Sequence, residues 1–444
     1  MSSTIYALSS AEGRAAIAII RVSGPRSLYS IERLTGLPAP ISQRLVLRTI
    51  KCPKSNKTID KGLVVFFQGP NSATGEDLVE FHVHGGRAII QAMLDALANL
   101  SELRLAEPGE FARRSFDNRK IDLTTAEGIA DLIEAETRSQ HYQAQMQAEG
   151  GLADLYDSWR KMLLEAQALV EAAIDFSDET DVSGNSYQRA LDIVQTLVET
   201  LTEHLKSARA GEIIRFGFHV AIAGPPNAGK SSLLNVMAKR DIAIVSDEPG
   251  TTRDVIEARL DLDGFLVVIS DTAGIRAPSS KIEQEGINRA LERAYAADLI
   301  LWIQDSTSKQ VVDIPDDISG KNILNIVNKA DLIDRYMPHH ITEKSILISA
   351  KTGIGLDDLT SFISAAARHA TYTANQVIPT NARHKQHLSN VKEQLNKFLN
   401  NDIAGLDLSA EDLRLAATEL GRLTGRIDVE DILDQIFSRF CIGK

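Results

Sequence analysis

The chain has 444 residues, with 48 Lys+Arg against 60 Asp+Glu for a formal charge of −12, and is 43% hydrophobic and 24% charged. That length implies about two to four domains with real cores, and the composition excludes a disordered or collagen-like chain. The negative balance excludes a protein that coats nucleic acid by charge alone, though not a local basic site. Its two cysteines, Cys52 and Cys441, rule out a disulfide scaffold and point to a reducing compartment.

No segment reads as an address or a membrane span. Ala15–Ile20 is apolar but bracketed by Arg14 and Arg21, and far short of the ~20 residues that cross a bilayer. The tail Cys441-Ile442-Gly443-Lys444 has prenylation-box spacing, but Gly443 and Lys444 do not suit one. A cytoplasmic protein with no membrane partner is expected.

Four blocks follow in chain order. Residues 1–118 alternate β-rich runs with turns and read as an α+β domain. The runs are Ile5–Leu8, Ala16–Val22, Leu63–Phe67 and Leu78–Val83. The turns are Gly24-Pro25, Gly69-Pro70-Asn71 and Gly85-Gly86, and one helix is predicted over Ala88–Asn99. Residues 119–214 read as helical. Thr124 and Glu127 have the spacing of a capping box. Leu152, Leu155, Trp159, Met162, Ala166, Leu169, Ala173 and Phe176 form a stripe at helical spacing, which is a bundle core. Gly150-Gly151 separates two helices. Asp175, Asp178, Glu179 and Asp181 crowd a predicted loop with Ser177, Ser183 and Gly184; solvated acids are the plainer reading there, a metal site the other.

Residues 215–375 alternate strands and helices, the pattern of a mostly parallel sheet. Residues 376–444 return to helix, with Leu413, Ala416, Ala417 and Leu420 on one face and Ile432, Ile436 and Phe440 on another. Helix that stops, admits an α/β unit and resumes suggests one bundle with a domain inserted into it.

The chemistry lies in the inserted block. Strand Phe218–Ala223 runs into Gly224-Pro225-Pro226-Asn227-Ala228-Gly229-Lys230-Ser231, and a helix begins at Ser232. This is the phosphate-binding loop in its required strand–loop–helix setting. Its glycines let backbone N–H groups wrap phosphates and the helix N-terminus adds positive potential. Lys230 is expected at the β and γ phosphates and the Ser231 hydroxyl at Mg²⁺. Asp271-Thr272-Ala273-Gly274 follows strand Phe265–Ser270, which places a carboxylate near the Mg²⁺ shell and a glycine N–H near a γ-phosphate. Asn328-Lys329-Ala330-Asp331 follows strand Ile323–Val327. Asp331 can accept from guanine N1–H and the exocyclic amine, donors adenine lacks there. Ser349-Ala350-Lys351, after strand Ile346–Ile348, would brace the base. Gly250-Thr251-Thr252-Arg253-Asp254 offers Thr252 to Mg²⁺, and Asp263-Gly264 closes a hairpin. In this order the motifs specify a GTPase. Ile275 stands where Ras-like enzymes carry a water-orienting glutamine, so another group must position water.

The whole chain resembles the MnmE (TrmE) family of bacterial tRNA modification GTPases. The resemblance rests on Gly-Pro-Asn-Ser-Ala-Thr-Gly-Glu-Asp (69–77), His84-Gly85-Gly86, Pro226–Ser232, Gly250–Asp254, Asp271–Gly274, Asn328–Asp331 and the tail Phe440–Lys444. It implies a multidomain α/β chain: an α+β folate-binding N-terminal domain, a helical bundle domain, and an inserted Ras-like P-loop GTPase domain. It further implies a homodimer and an FAD-dependent partner, MnmG, in a heterotetramer or larger complex. Together they act on tRNA, adding aminomethyl or carboxymethylaminomethyl groups to C5 of the wobble uridine. A tetrahydrofolate derivative, 5-formyl or 5,10-methylene, would supply the carbon.

By the same resemblance K⁺ sits in place of an arginine finger, held by Asn227, Ser246, Glu248 and Thr251, and promotes pairing of G domains. Glu283 would position water. Ser232 joins the nucleotide-binding set. Arg21, Glu80, Lys120 and Lys444 would contact folate. Cys441 is either a reactive thiol or an inert buried one. Pro225, Pro249 and Pro278-Ser279-Ser280 depart from the family's usual residues without removing a ligand. His82 and His84 share a strand face, which suits a metal pair only if a third ligand is near. A ribosome-assembly GTPase and a folate-binding scaffold with a regulatory G domain are the alternative functions.

Overall fold

The fold is that of a computed structural model describing residues 3–11, 13–175, 180–240, 257–271, 295–308, 312–333, 345–372, 377–401, 406–427, 430–438, 440 and 442–443. The chain forms two compact units: Met1–Ala130 with Gln147–Leu164 and Arg414–Lys444, and Asp131–Met146 with Glu165–Leu413.

In the first unit, β1 (Thr4–Leu8), β2 (Ile17–Ser23), β3 (Val46–Lys51), β4 (Thr58–Phe67), β5 (Leu78–His84) and β6 (Leu103–Leu105) form one sheet, ordered β3-β4-β5-β2-β1-β6. All its pairings are antiparallel except β1 with β6. Helices α1 (Ser27–Thr35) and α2 (Arg87–Ala98) bury Ile31, Leu34, Met93 and Leu97 with Ile20, Val22, Val64 and Phe81. Part of the opposite face is closed by Phe111 of α3 (Glu110–Asp117), which packs with Ile5, Ala7 and Leu78. The four predicted strands are present. The strands β3 and β6 and the helices α1 and α3 were not expected from the sequence. Helix α3 is only eight residues long and its buried row mixes Phe111 with Arg114, which bonds Glu76 and Glu110, so its apolar periodicity is too short to announce it.

Helix α4 (Leu123–Glu134) corrects the capping-box expectation. Asp122 is the cap: its Oδ1 accepts from Thr124 N–H at 2.7 Å and Thr125 N–H at 3.1 Å. Thr124 and Glu127 are buried inside the helix. An aspartate two residues upstream reaches the orphan donors better than a threonine already in the first turn. Leu123 and Ala126 pack with Leu433, Ile436 and Phe437 of helix α13 (Glu430–Phe437) and with Phe440, which lies beyond that helix.

Helices α5 (Arg138–Ala148) and α6 (Gly151–Asp175) are separated at Gly150, as expected. The α6 stripe is out of phase by one position at alternate steps. Its buried row is Leu152, Tyr156, Trp159, Leu163, Ala166, Val170 and Ala173, while Leu155, Met162 and Leu169 are half-buried. Both rows fit helical spacing, and the one the fold buries carries Tyr156 and Trp159, whose tilted rings lie 5.6 Å apart. Phe176, Ser177, Asp178 and Glu179 lie outside the described residues. Asp181, Ser183 and Gly184 belong to helix α7 (Thr180–Lys206), not to a loop.

In the second unit α7 packs on α11 (Ala382–Asn400), burying Ala190, Val194, Leu197 and Leu201 with Leu388, Val391, Leu395 and Phe398. His204 of α7 faces His384 of α11. Burial, and then repulsion from His384, push the His204 imidazole down to about 4 from 6.5. A depressed histidine stabilises the fold fully above its unfolded value and loses that contribution as pH falls toward the folded one. We expect His204 to withdraw about 2 kcal/mol between pH 7 and pH 5. Urea unfolding across that range checks it: the gap between the parent and His204→Asn should narrow on acidification, and a constant gap would refute the assignment.

The α/β part contains β7 (Phe218–Ala223), α9 (Lys230–Arg240), β8 (Glu257–Leu262), β9 (Phe265–Asp271), β10 (Leu299–Asp305), β11 (Ile323–Asn328), β12 (Ile346–Leu347) and α10 (Leu356–Ala370). Helix α8 (Ala208–Phe216) leads in, and α12 (Leu406–Thr424) follows α11 with Leu413, Ala416 and Leu420 buried as expected. The sheet order is β12-β11-β10-β7-β9-β8, parallel except for the β8–β9 hairpin. Asp263 and Gly264 turn that hairpin at φ 54° and 88°, a pair of positive φ values whose twist suits two flanking strands.

The amino end of α5 grips this part with polar side chains. Gln140 Nε2 donates to Arg215 O (3.0 Å) and Gln143 Nε2 to Ile378 O (3.4 Å). Arg215 pairs with Asp131 (2.6 Å) and Arg259 of β8 with Glu136 (2.6 Å), while Ser139 N–H donates to Gly264 O (3.0 Å).

Candidate functional site

Parallel strands bring their carboxyl ends to one edge, which is where ligands bind in open α/β sheets. Here β7 stands between β10 and β9, so the loop after Ala223, the Asp271 end of β9, the Asp305 end of β10 and the Asn328 end of β11 all meet at that edge. Ile222 is in register with Asp271, and Asp305 with Asn328.

The phosphate loop departs from β7 at Gly224, φ 143°, where a Cβ would overlap Ile303 O. Only glycine lets the loop turn so close to the neighbouring strand. Asn227 is exposed at φ 64°, and Ala228 is buried. Lys230 Nζ donates to Gly224 O and Pro225 O, both at 3.0 Å, so the ammonium lies across the loop. Ser231 Oγ donates to Asp271 Oδ2 at 2.6 Å. Asp271 is buried, and its Oδ1 has no hydrogen-bond partner among the described residues. A hydroxyl beside a buried carboxylate with an unused oxygen fits a hard divalent cation held through oxygen and water.

The base side is built by Asn328. Its Nδ2 donates to Ala228 O at 2.8 Å and its Oδ1 accepts from Ala350 N–H at 3.1 Å, so one buried amide ties the phosphate loop to the Ser349-Ala350-Lys351 loop. Asp331, in a 3-10 turn (Ala330–Leu332), accepts from Ser349 Oγ at 2.6 Å, and Ser349 Oγ accepts from Thr352 N–H at 3.1 Å. Lys329 is left-handed at φ 64°, with its carbonyl held by Ser306 Oγ at 2.9 Å. Its ammonium pairs with Asp305. Burial raises the Asp305 carboxyl, but bonds from Lys329 and Thr307 outweigh that and hold it below the usual carboxylate range. Asp305 and Ser306 escaped the sequence reading; the signal was an aspartate ending the apolar run Leu299–Ile303.

Of the expected nucleotide set, the structure brings together Asn227, Ala228, Gly229, Lys230, Ser231, Ser232, Asp271, Asn328, Lys329, Asp331, Ser349, Ala350 and Lys351 around one sheet edge. Ser246, Glu248, Thr251, Thr252, Thr272, Ala273, Gly274, Ile275 and Glu283 lie outside the described residues, as do Cys441 and Lys444.

In the first unit Arg21 and Glu80 are cross-strand partners joined at 2.8 Å, and Glu80 also meets His82 Nε2 at 3.1 Å. Lys120 Nζ donates to Pro70 O at 3.0 Å, and the residue borders a cleft of ≈ 970 Å³ with Arg119, Thr125, Thr424 and Arg426. The 69–77 loop beside it is fixed by Ser23 Oγ on Thr74 (2.7 Å) and Glu76 (2.9 Å) and by Asn118 Nδ2 on Thr74 O (2.7 Å). His84 turns to Asp60 (2.9 Å), away from His82's partner, so the two histidines do not converge. Among the described residues no group of three or more His, Cys, Asp or Glu could hold a metal, and no helix is long and apolar enough to cross a membrane.

Comparison with known proteins adds the following. Residues 4–120 match the family model for the GTP-binding protein TrmE N-terminus, and residues 123–441 that for the MnmE helical domain. The chain is 48% identical over 448 residues to a tRNA modification GTPase MnmE of Parvibaculum lavamentivorans, spanning 99% of this chain and 100% of that protein. Another protein of that name, from Chelativorans sp., is 45% identical over 99% of this chain and 98% of its own length. A third, from Maricaulis maris, is 44% identical over 100% of both.

Proposed function

The chain belongs to the MnmE family of tRNA modification GTPases, and from that membership we propose that its GTP hydrolysis drives addition of aminomethyl or carboxymethylaminomethyl groups to C5 of the wobble uridine of certain tRNAs, together with the FAD-dependent MnmG. The observation that carries the reading is Asn328 and Ser231. One bridges the base loop to the phosphate loop, and the other pairs with the buried Asp271. In this reading those bonds would hold the phosphate, metal and base positions at one sheet edge, as positioning catalysis of phosphoryl transfer demands.

In this reading the backbone of Asn227–Ser232 and the Lys230 ammonium hold the phosphates. Ser231 would ligate Mg²⁺ with Asp271 behind it and Thr252 as a further ligand, and the ion supplies neutralisation of phosphate charge. Asp331 and Ser349 select guanine. Asn227, exposed in a left-handed turn, supports a K⁺ site completed by Ser246, Glu248 and Thr251, and Glu283 positions the attacking water. Arg21, Glu80, Lys120 and Lys444 are proposed for a tetrahydrofolate derivative; the Arg21–Glu80 pair is polar and half-buried, which suits a pterin.

Ile17 of β2, 60% exposed, supports a homodimer through that domain. We place the domains at 1–118, 119–214, 215–375 and 376–444, in a cytoplasmic enzyme that joins MnmG in a heterotetramer or larger complex. Steady-state GTP hydrolysis in KCl and NaCl tests the cation: K⁺ should accelerate turnover at least tenfold, and equal rates would overturn the K⁺ site. Glu283→Ala should abolish turnover and leave GTP affinity intact. Mass spectrometry of tRNA nucleosides from a deletion strain should show loss of the wobble modification. An unaltered nucleoside profile would defeat the reading.

A further inference from the structure

The cations of this acidic chain are concentrated. Between Arg44 and Lys61 stand six, Arg44, Arg48, Lys51, Lys54, Lys57 and Lys61, against the single acid Asp60. The segment carries 6 − 1 = +5, which leaves −12 − 5 = −17 on the rest of the chain.

The fold makes one body of that segment. Its strands β3 and β4 pair with Lys51 opposite Thr58 and Thr49 opposite Lys61. The tip is closed by Cys52 N–H on Lys57 O and Asn56 N–H on Cys52 O, both at 2.9 Å, with Asn56 left-handed at φ 54°. The hairpin is therefore ordered to its end, and β3 is the outermost strand of its sheet. Arg44, Lys54, Lys57 and Lys61 are exposed. Among the described residues none of the six cations makes an ion pair. Lys54 donates to the neutral amide of Asn99, and Arg48 Nε has no partner. Asp60 does not neutralise them: its carboxylate receives the His84 backbone N–H at 2.8 Å and ring Nδ1 at 2.9 Å.

A rigid, unneutralised cationic knob on an otherwise anionic body attracts a polyanion by releasing its condensed counterions, with no need for base contacts. We propose that the β3–β4 hairpin is a docking surface for the phosphate backbone of tRNA. The proposal rests on the family's tRNA substrate. Lysines on an edge strand also deter edge-to-edge association, a role that needs charge but no RNA, so the test must separate the two.

The experiment is fluorescence anisotropy of the full-length protein with an unmodified tRNA transcript, titrated between 50 and 200 mM NaCl. In the triple variant K54Q/K57Q/K61Q the slope of log K against log[NaCl] should shrink by about two to three, at roughly 0.7–0.9 per lost phosphate contact. A triple Lys→Arg variant should keep the parent slope, and GTP turnover without RNA should be unchanged in both. An unaltered slope in the Gln variant, absence of tRNA binding by the parent, or capture of phosphatidylserine vesicles in preference to tRNA would each overturn the proposal. If cells carrying the Gln variant keep full wobble modification and the slope is unaltered, the hairpin assignment fails while the functional reading stands.

Discussion

Replacing Asp331 with asparagine is expected to weaken GTP binding by about 10⁴-fold, the discrimination a site achieves when built to bond a polar group that the ligand then lacks or opposes. The carboxylate is pre-aimed, because Ser349 Oγ donates to its Oδ1 at 2.6 Å and Ser349 is itself fully buried. Its remaining lone pairs are free to accept from guanine N1–H and the exocyclic amine. An asparagine turns an N–H toward those donors, so two donors face each other with no acceptor between them. Xanthine carries a carbonyl where guanine carries the amine, so the variant should prefer xanthosine nucleotides. Calorimetric titration with GTP and XTP gives both affinities. Ser349→Ala should lose only about tenfold, one hydrogen bond's worth. A GTP affinity unchanged in Asp331→Asn would remove the residue from base recognition.

A second large effect is expected at Gly229. It sits at φ 97°, and a Cβ there would overlap Asn328 Nδ2. That amide cannot swing aside without releasing both Ala228 O and Ala350 N–H. Backbone strain of about 1–3 kcal/mol and the unmade bonds of a buried amide, about 1–3 kcal/mol, both fall on Gly229→Ala. We expect a loss of about 3–5 kcal/mol in unfolding free energy and at least a 100-fold loss of GTP affinity. Urea denaturation of the single variants and of G229A/N328A is the check. Removing the Asn328 amide makes room for the methyl, so the double variant should be less destabilised than the sum. Strict additivity, or a silent Gly229→Ala, would show that the two loops are not coupled through this amide.

The nucleotide side of the site was legible because its chemistry is local. Each motif occupies a few consecutive residues after an apolar strand, and parallel β7, β9, β10 and β11 bring those strand ends together. Asp305 was less legible: it acts across a strand register, on Lys329, and no spacing within one segment announces that. The helical parts were readable as helix but not in detail. In α6 two apolar rows compete at the same spacing, and only the fold shows that Tyr156, Leu163 and Val170 are the buried ones. At α4 the cap lay two residues before the expected threonine. Helix α5 hid its function best. Gln140, Gln143 and Gln147 are buried, so its inner face reads as solvent-exposed on any hydropathy scale, yet those amides satisfy backbone carbonyls that an apolar residue could not.

Gln140 and Gln143 lie one helical turn apart, a rise of about 4.5 Å, and hold the carbonyls of Arg215 and Ile378. Gly211 backs onto Pro379 in the same place, so closely that a Cβ would overlap its carbonyl. Everything between those points therefore leaves and re-enters through a single doorway. The closure entropy of a chain passing through such a doorway grows only logarithmically, about 0.6 kcal/mol for each doubling of its length. A whole catalytic module can be lost, replaced or enlarged there while the helices around the doorway keep the same two ends to hold.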